Sequence, residues 1–246
     1  MKTTKWIFFA LLASFSLSGC FIDIDDDMGF DNCLRGTGPI VVEELDLSRI
    51  DAIDLQLPGK VYLQQGPEQK VEVEGPANVV DYLERRVRGG LWEIGIEDRC
   101  VRNLESLRIY LTVPELIELR ISGEGEIVSE GTLETDDLDL VIEGSGNIAL
   151  NLIADDIDAE ISGSGNLRLG GEADEITFEV TGSGDLQAFP LMARKGEVRI
   201  SGSGDVELYI TELLDVQITG SGDVLYKGSP SLNVSVSGSG GVVDAN

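Results

Sequence analysis

The side chains best placed to do chemistry are Asn and Asp residues that follow a recurring Gly-Ser-Gly phrase. These are Asn147, Asn166, Asp185, Asp205 and Asp223. Calcium prefers carboxylate and carbonyl oxygens, and stacked carboxylates repel one another unless hydrogen bonds or cations bridge them. Asp185, Asp205 and Asp223 are therefore the candidates for a metal site. Asn and Asp also favour tight turns without any metal. We expect this simpler role, with no bound metal or other cofactor, and keep a calcium-binding protein as an alternative.

Catalytic chemistry finds less support in the sequence. The chain contains no histidine, which excludes Ser-His-Asp and Cys-His nucleophile systems and any zinc site that uses His. Paired carboxylates such as Asp136 with Asp137 and Asp155 with Asp156 could serve a polysaccharide-active enzyme. Their spacing follows outward strand and turn positions, however, and no cluster of Lys or Arg accompanies them. We expect a protein that is not an enzyme, with the polysaccharide-active enzyme as the alternative.

The Gly-Ser-Gly phrase recurs at a nearly fixed period. Its first glycines stand at positions 123, 144, 163, 182, 202, 220 and 238, so successive steps are 21, 19, 19, 20, 18 and 18 residues. The earliest copy is a variant, Gly123-Glu124-Gly125-Glu126. The paired turn glycines of the other copies are Gly144 and Gly146, Gly163 and Gly165, Gly182 and Gly184, Gly202 and Gly204, Gly220 and Gly222, and Gly238 and Gly240. A period near 20 is typical of a solenoid, in which each repeat is one coil stacked on its neighbours.

Alternating apolar residues flank each copy of the phrase. In one repeat Val206 and Leu208 follow a turn, and Val216 and Ile218 precede the next. Such alternation indicates strands with one buried face. The glycines permit the sharp turn between them. The pattern predicts an all-β, single-stranded β-solenoid with coils of 18 to 21 residues, which we expect to be a right-handed parallel β-helix.

The region before the regular repeats is less uniform. We predict one domain over residues 36–246, with irregular coils over 36–122 and regular repeats over 123–246. Leu57-Pro58-Gly59-Lys60 occupies the slot of the later Gly-Ser-Gly phrase and is interpreted as a degenerate first turn. Val79, Val80, Leu83 and Val87 have helical spacing. They predict a short helix near residues 77–88 that covers an edge or end of the sheet.

The N-terminus has the features of an export signal. Lys2 and Lys5 precede a short apolar run, too short to span a bilayer comfortably. The run ends in Leu17-Ser18-Gly19-Cys20, which resembles the lipobox of bacterial lipoproteins. The resemblance implies a signal peptide over residues 1–19, lipidation of Cys20, and a chain anchored in the cell envelope. Phe21, where an Asp would favour retention in the inner membrane, favours the outer membrane on either its periplasmic or its external face. Residues 20–35 are predicted to form an acidic tether.

Two further cysteines remain, Cys33 and Cys100. An exported chain with two thiols in an oxidising compartment most simply pairs them. We predict this disulfide, which would join the start of the folded domain to a loop. Two free thiols are the alternative.

The formal net charge of −27 bears on partners. A field of this sign repels nucleic acid and anionic lipid, so we expect no nucleic-acid partner. Residues 242–246 directly follow the last Gly-Ser-Gly phrase. We expect the last coil to offer a docking edge and consider a homo-oligomer formed through it.

The repeated phrase Ile/Val-Ser/Thr-Gly-Ser-Gly-Asn/Asp, found behind a lipoprotein signal, resembles a bacterial family described as putative auto-transporter adhesin, head GIN domain. The resemblance covers roughly residues 36–246. It implies a β-solenoid shaped like the pectin-lyase β-helices and a function in adhesion. The variant turns at Leu57-Pro58-Gly59-Lys60 and at Glu124 and Glu126 depart from the family pattern. We expect a non-catalytic, lipid-anchored envelope protein, adhesive or structural, that binds a protein or glycan.

Overall fold

The computed structural model describes residues 33–97, 101–102, 104 and 106–246. Residues 33–246 belong to one compact unit. The elements of the first half are β1 Leu34–Arg35, β2 Ile40–Glu44, β3 Ala52–Leu55, β4 Lys60–Gln65, β5 Lys70–Pro76, α1 Ala77–Val80, β6 Val87–Arg88, β7 Leu91–Ile94, β8 Val101–Arg102, β9 Arg108–Val113 and β10 Glu118–Ile121. Those of the second half are β11 Glu126–Gly144, β12 Asn147–Gly163, β13 Asn166–Gly182, β14 Asp185–Gly202, β15 Val206–Gly220, β16 Val224–Lys227, β17 Ser231–Gly238 and β18 Val242–Asp244.

The strands form a β-solenoid of about seven turns with coils of about 19 residues, as the sequence predicted. Strands β11 to β15 each follow most of a coil and pair in parallel with the strand of the next coil. The residue that follows the Asn/Asp position stays in one column through six successive coils. Its members are Ile127, Ile148, Leu167, Leu186, Val206 and Val224. The predicted alignment of the repeats is thus confirmed.

The core lies inside the coils. The alternating residues predicted to face inward are buried, among them Ile142, Ile161, Val180, Ile200 and Ile218, which precede the corners. One coil alone leaves this face open to water, whereas stacking covers it on both sides. At about 25 cal/mol per Å² of buried apolar surface, this column of branched side chains is a principal source of stability.

The first coils differ from the regular stack. Strands β3, β7 and β10 continue the parallel pairing, but β5 runs antiparallel to both β2 and β9. Strands β6 and β7 form an antiparallel hairpin across Gly89 and Gly90, whose φ angles are 61° and 93°. Such angles at both turn positions favour glycine. These antiparallel additions were not predicted from the sequence.

The predicted helix near residues 77–88 is much shorter in the structure. Helix α1 covers only Ala77–Val80. Beyond it, the backbone N–H of Glu84 donates to the carbonyl oxygen of Gly95 at 2.9 Å, and the indole N–H of Trp92 donates to the carbonyl oxygen of Glu84 at 2.9 Å. Val87 belongs to β6. Contacts with β7 and its neighbours therefore outweigh the helical periodicity, although Val79, Val80 and Leu83 are buried as expected.

Several predictions concern residues outside the described part of the chain. The signal peptide, Cys20 and most of the acidic tether fall within residues 1–32, and Cys100 falls in the gap at 98–100. Within the ranges that the structure describes, no helix is long and apolar enough to cross a membrane.

Candidate ligand-binding groove

The Gly-Ser-Gly corners stack directly on one another. The serine N–H of each corner donates to the carbonyl oxygen of the first glycine one coil earlier. For example, Ser164 donates to Gly144 and Ser183 to Gly163, each at 2.8 Å. This ladder continues to Ser239, which donates to Gly220 at 2.9 Å. The corners thus carry inter-coil hydrogen bonds.

Both glycines of the corner are required by this stacking. The first glycine adopts a positive φ, 126° at Gly144 and 136° at Gly163. Residues other than glycine rarely adopt such a φ angle. A Cβ at Gly144 would lie 2.8 Å from the carbonyl oxygen of Gly123. The second glycine meets the same limit, because a Cβ at Gly146 would lie 3.0 Å from the carbonyl oxygen of Gly125. The phrase is therefore a device for close stacking.

The Asn/Asp column that follows the corners is also bonded from coil to coil. Asn166 Nδ2 donates to Asn147 Oδ1 at 2.9 Å. The backbone N–H of Asp205 donates to Asp185 Oδ1 at 2.8 Å, and that of Asp223 donates to Asp205 Oδ1 at 2.9 Å. Asp223 Oδ1 in turn accepts from the N–H of Gly241 at 2.8 Å.

These contacts bear on the metal hypothesis. Each of the three aspartates already has one oxygen occupied by a backbone donor. Within the described ranges, no group of three or more His, Cys, Asp or Glu side chains is arranged to hold a metal ion. The observed geometry gives Asp185, Asp205 and Asp223 a role in joining the coils.

At its N-terminal end the same column contains basic residues in place of Asn and Asp. Lys60 lies beside Glu126, and Arg108 lies beside Lys60, in the positions that Asn and Asp occupy later. This register confirms that Leu57-Pro58-Gly59-Lys60 is the degenerate first corner. The two cations are held by carboxylates. Lys60 Nζ lies 3.0 Å from Glu126 Oε1, and Arg108 Nη1 lies 3.3 Å from Glu74 Oε1.

A groove opens beside these two cations. Its volume is about 680 Å³, and its lining includes Pro58, Lys60, Tyr62, Leu104, Leu107 and Arg108 together with the acidic residues Glu124 and Glu126. Apolar, cationic and acidic side chains thus face the same space. The side chain of Lys60 is 33% exposed and that of Arg108 is 42% exposed. Their charged ends therefore remain available to a ligand despite the ion pairs.

A tyrosine pair supports the groove. The rings of Tyr62 and Tyr110 are stacked, with centroids 5.1 Å apart and planes 11° apart. Lys60 Nζ lies 5.3 Å from the Tyr62 ring centroid. Burial, followed by the charge of nearby Glu74, raises the pKa of Tyr110 above its ordinary value. The pair fixes the strands that carry Lys60 and Arg108.

The carboxylates considered for catalysis lie elsewhere. Asp137, Asp156 and Glu175 are neighbours on three successive strands. Desolvation, followed by the charges of Glu175 and Asp137, raises the pKa of Asp156. The adjoining depression, lined by Asp156, Asp158 and Glu175 among others, measures about 200 Å³. Asp136 and Asp137 both line a second depression, beside Gln65 and Glu115. The structure thus places Asp137 next to Asp156 along the stack, while Asp136 and Asp137 share a depression that Asp156 does not line.

Residues 49–230 match the family described as putative auto-transporter adhesin, head GIN domain. The chain belongs to this family. The curated proteins gave no match to the sequence.

Crystal structures of related proteins have the same fold as this head GIN domain protein. One is a putative adhesin from Bacteroides fragilis NCTC 9343, with 27% identity and a TM-score of 0.79, covering 85% of this chain and 99% of that one. Another is a putative lipid binding protein from Parabacteroides distasonis ATCC 8503, with 27% identity and a TM-score of 0.71, covering 86% and 99%. A putative adhesin from Parabacteroides merdae ATCC 43184 has 20% identity and a TM-score of 0.68, covering 87% and 100%, and shows the fold alone.

The sequence did not reveal the groove. The sequence predicts that Lys60 occupies the corner slot, but the corner pattern gives no indication of Arg108. A usable signal was present. Tyr62 and Tyr110 each stand two residues after a basic residue at the start of a strand. Two coils with the same basic-x-Tyr pattern would have indicated a shared outward surface.

Proposed function

We propose that this head GIN domain protein is a non-catalytic binding module of the cell envelope, adhesive in type, and that its ligand occupies the groove beside Lys60 and Arg108. The observation that carries the proposal is where the groove lies. It lies at the coils whose corner departs from the Gly-Ser-Gly-Asn/Asp phrase. Stacking explains the regular corners but not a lysine and an arginine in the Asn/Asp column.

The lipid anchor is part of the same proposal. The Leu17-Ser18-Gly19-Cys20 phrase supports lipidation of Cys20, and acyl chains add about 0.8 kcal/mol of membrane affinity for each buried CH₂. The acidic residues that follow would keep the tether solvated. We propose that the solenoid is held at the outer membrane. Labelling with radioactive palmitate, lost on Cys20→Ser, would test the anchor.

The groove favours a ligand that combines apolar contact with acceptor oxygens. Pro58 and Tyr62, which are partly exposed, supply apolar surface, and the two cations supply charge-assisted donors, which form the stronger class of hydrogen bonds. An extended glycan or a protein segment could meet both. One related structure is described as lipid binding, so a lipid belongs among the ligands to be tested.

A binding screen tests this proposal. The full chain would be probed against glycan arrays, matrix proteins and phospholipid vesicles. Any ligand found should then bind at least about tenfold more weakly to Lys60→Ala combined with Arg108→Ala, because charge-assisted hydrogen bonds contribute about 1.5 to 3 kcal/mol each.

The matched control is Arg168→Ala. Arg168 is exposed in the same outward column as Tyr62, further along the solenoid. It should bind as the wild type does. Equal losses in the groove variant and in this control would place binding outside the groove.

The same ligands decide whether the protein is an enzyme. We propose binding without turnover. Release of reducing sugar or of unsaturated product from any bound glycan, abolished by Asp156→Asn, would contradict that and favour the carboxylate surface.

A further inference from the structure

The last described coil presents an uncovered apolar face. Leu232, Val234 and Val236 of β17 lie in register with Leu214, Val216 and Ile218 of β15, which are buried. The three β17 residues occupy the same inward column, yet they are 41%, 50% and 42% exposed. They are core residues by position and surface residues by exposure.

The backbone edge of the same coil is open too. Strand β17 pairs with β15 on one side, and no other described strand pairs with it. Soluble proteins usually blunt such edges with lysines, prolines or bulges. The segment Ser231–Gly238 contains no proline and no charge, and its pairing with β15 has no bulge.

The coil differs in charge from those before it. From Gly228 to Val243 the chain carries no charged side chain, in a protein of net charge −27. The outward position that holds Glu197 in β14 and Asp215 in β15 holds Asn233 in β17. An acidic protein can approach its own copy only where like charges do not meet. This coil meets that condition.

We propose that β17 docks on β17 of a second copy of this chain. The two strands would run antiparallel about a twofold axis at Val234, as an isologous contact requires. In that register Leu232 faces Val236 of the second copy, and Asn233 faces its Ser235. Apolar residues then meet apolar residues and neutral polar residues meet neutral polar residues. A charged partner would find no side chain of opposite charge on this face. A second copy presents the same uncharged face, so the absence of charge favours it as the partner.

The pairing would continue the solenoid through the interface. The edge N–H and C=O groups of both copies would become satisfied. The apolar column of one copy would extend into that of the other, so the exposed Leu232, Val234 and Val236 would become core. The groove, at the opposite end of the coil order, would stay free.

Native mass spectrometry of the full chain, purified in detergent, tests the proposal. The wild type should give a dimer. Val234→Lys should weaken dimerisation at least about a hundredfold, because two ammonium groups would face each other across the axis. The matched control is Ile153→Lys, which adds the same charge at a β12 residue that is 47% exposed. It should leave the dimer intact.

Cross-linking gives a second, independent measurement. Val234→Cys should form a disulfide-linked dimer on mild oxidation, because opposed residues of antiparallel strands have Cβ atoms about 4.5 to 5.5 Å apart. Ile153→Cys should not. A monomeric wild type at the highest soluble concentration overturns the proposal and leaves the face to a different partner. A dimer that survives Val234→Lys, or an absence of the Val234→Cys cross-link, overturns it as well.

Discussion

At the scale of single residues, the corner glycines are the positions that tolerate least change. We expect Gly163→Ala to lower the free energy of unfolding by about 2 to 4 kcal/mol, because the new methyl group meets the Gly144 carbonyl and the φ of 136° is unfavourable for alanine. Denaturant titration measures the change.

Ser164 provides the control for this substitution. Its side chain is exposed, and its backbone N–H would still donate to Gly144 after Ser164→Ala. The stability should stay within about 0.5 kcal/mol of the wild type. An equal loss from both substitutions would mean that the glycine geometry is not what holds the corner.

Substitutions at Asp205 distinguish a role of the Asp column in coil stacking from a role in metal binding. Asp205→Asn keeps an oxygen that can accept the Asp223 N–H, and it removes one of three stacked charges. Its stability should equal or exceed that of the wild type. Asp205→Ala leaves that N–H without its acceptor and should cost about 1 kcal/mol.

Treatment with the chelator EDTA tests the metal hypothesis directly. EDTA should leave the melting temperature of the wild type unchanged, since the Oδ1 atom of each Asp is already bonded to a backbone N–H of the next coil. A melting temperature that falls with EDTA, together with a destabilised Asp205→Asn, would restore the calcium hypothesis.

The predicted disulfide between Cys33 and Cys100 has support from the strand pairing beside it. Strand β1 begins one residue after Cys33, β8 begins one residue after Cys100, and Leu34 pairs with Val101. Cys33→Ser should therefore lower the free energy of unfolding by about 2 to 5 kcal/mol, the usual loss when a native disulfide is removed. Peptide mass mapping without reductant should find the two cysteines linked. A wild type with two free thiols would refute the pairing.

At the scale of elements, the acidic strands β11 to β13 make stability depend on pH. Desolvation and neighbouring carboxylates raise the pKa values of Asp139 and Asp156. A raised pKa in the folded state means that the fold binds protons more readily than the unfolded chain. The strands should therefore become more stable as the pH falls from 7 toward the ordinary Asp value of 3.8.

Other carboxylates act in the opposite direction. Hydrogen bonds from Arg85 and Arg194 lower the pKa values of Glu43 and Glu212. Their stabilising contribution is present above the ordinary Glu value of 4.5 and is lost as the pH falls below it. The melting temperature should pass through a maximum below pH 7. In the variant that combines Asp139→Asn with Asp156→Asn, the melting temperature should rise less as the pH falls from 7. Glu44→Gln should leave that rise unchanged.

The elements also explain what the sequence could predict. Each coil of β11 to β15 repeats the same corner and the same inward column, so the period and the alternation were both visible. Strands β2, β5 and β6 form antiparallel contacts specific to one place, and such pairings leave no periodic signal. The helix was overestimated because Val87 has helical spacing but pairs with Trp92 in a hairpin.

At the scale of the whole molecule, two regions depart from the regular stack, one at each end of the coil order. The groove lies at the first coils, where the corner phrase is degenerate. The uncharged face lies at the last described coil. The regular coils between them are explained by stacking alone, so function is proposed at the ends. The groove is harder to predict, because Arg108 and Lys60 are brought together by the pairing of β4 with β9 and only the shared basic-x-Tyr pattern of the two strands indicates that pairing.

Hydrogen–deuterium exchange in the presence of the ligand found by the screen tests the central claim most directly. Binding should slow exchange in residues 57–63 and 106–111, which include residues that line the groove. It should leave the Asn/Asp corners at residues 182–186 and 202–206 unchanged. Protection confined to those regular corners, with none around Lys60 and Arg108, would contradict the assignment of the groove as the binding site.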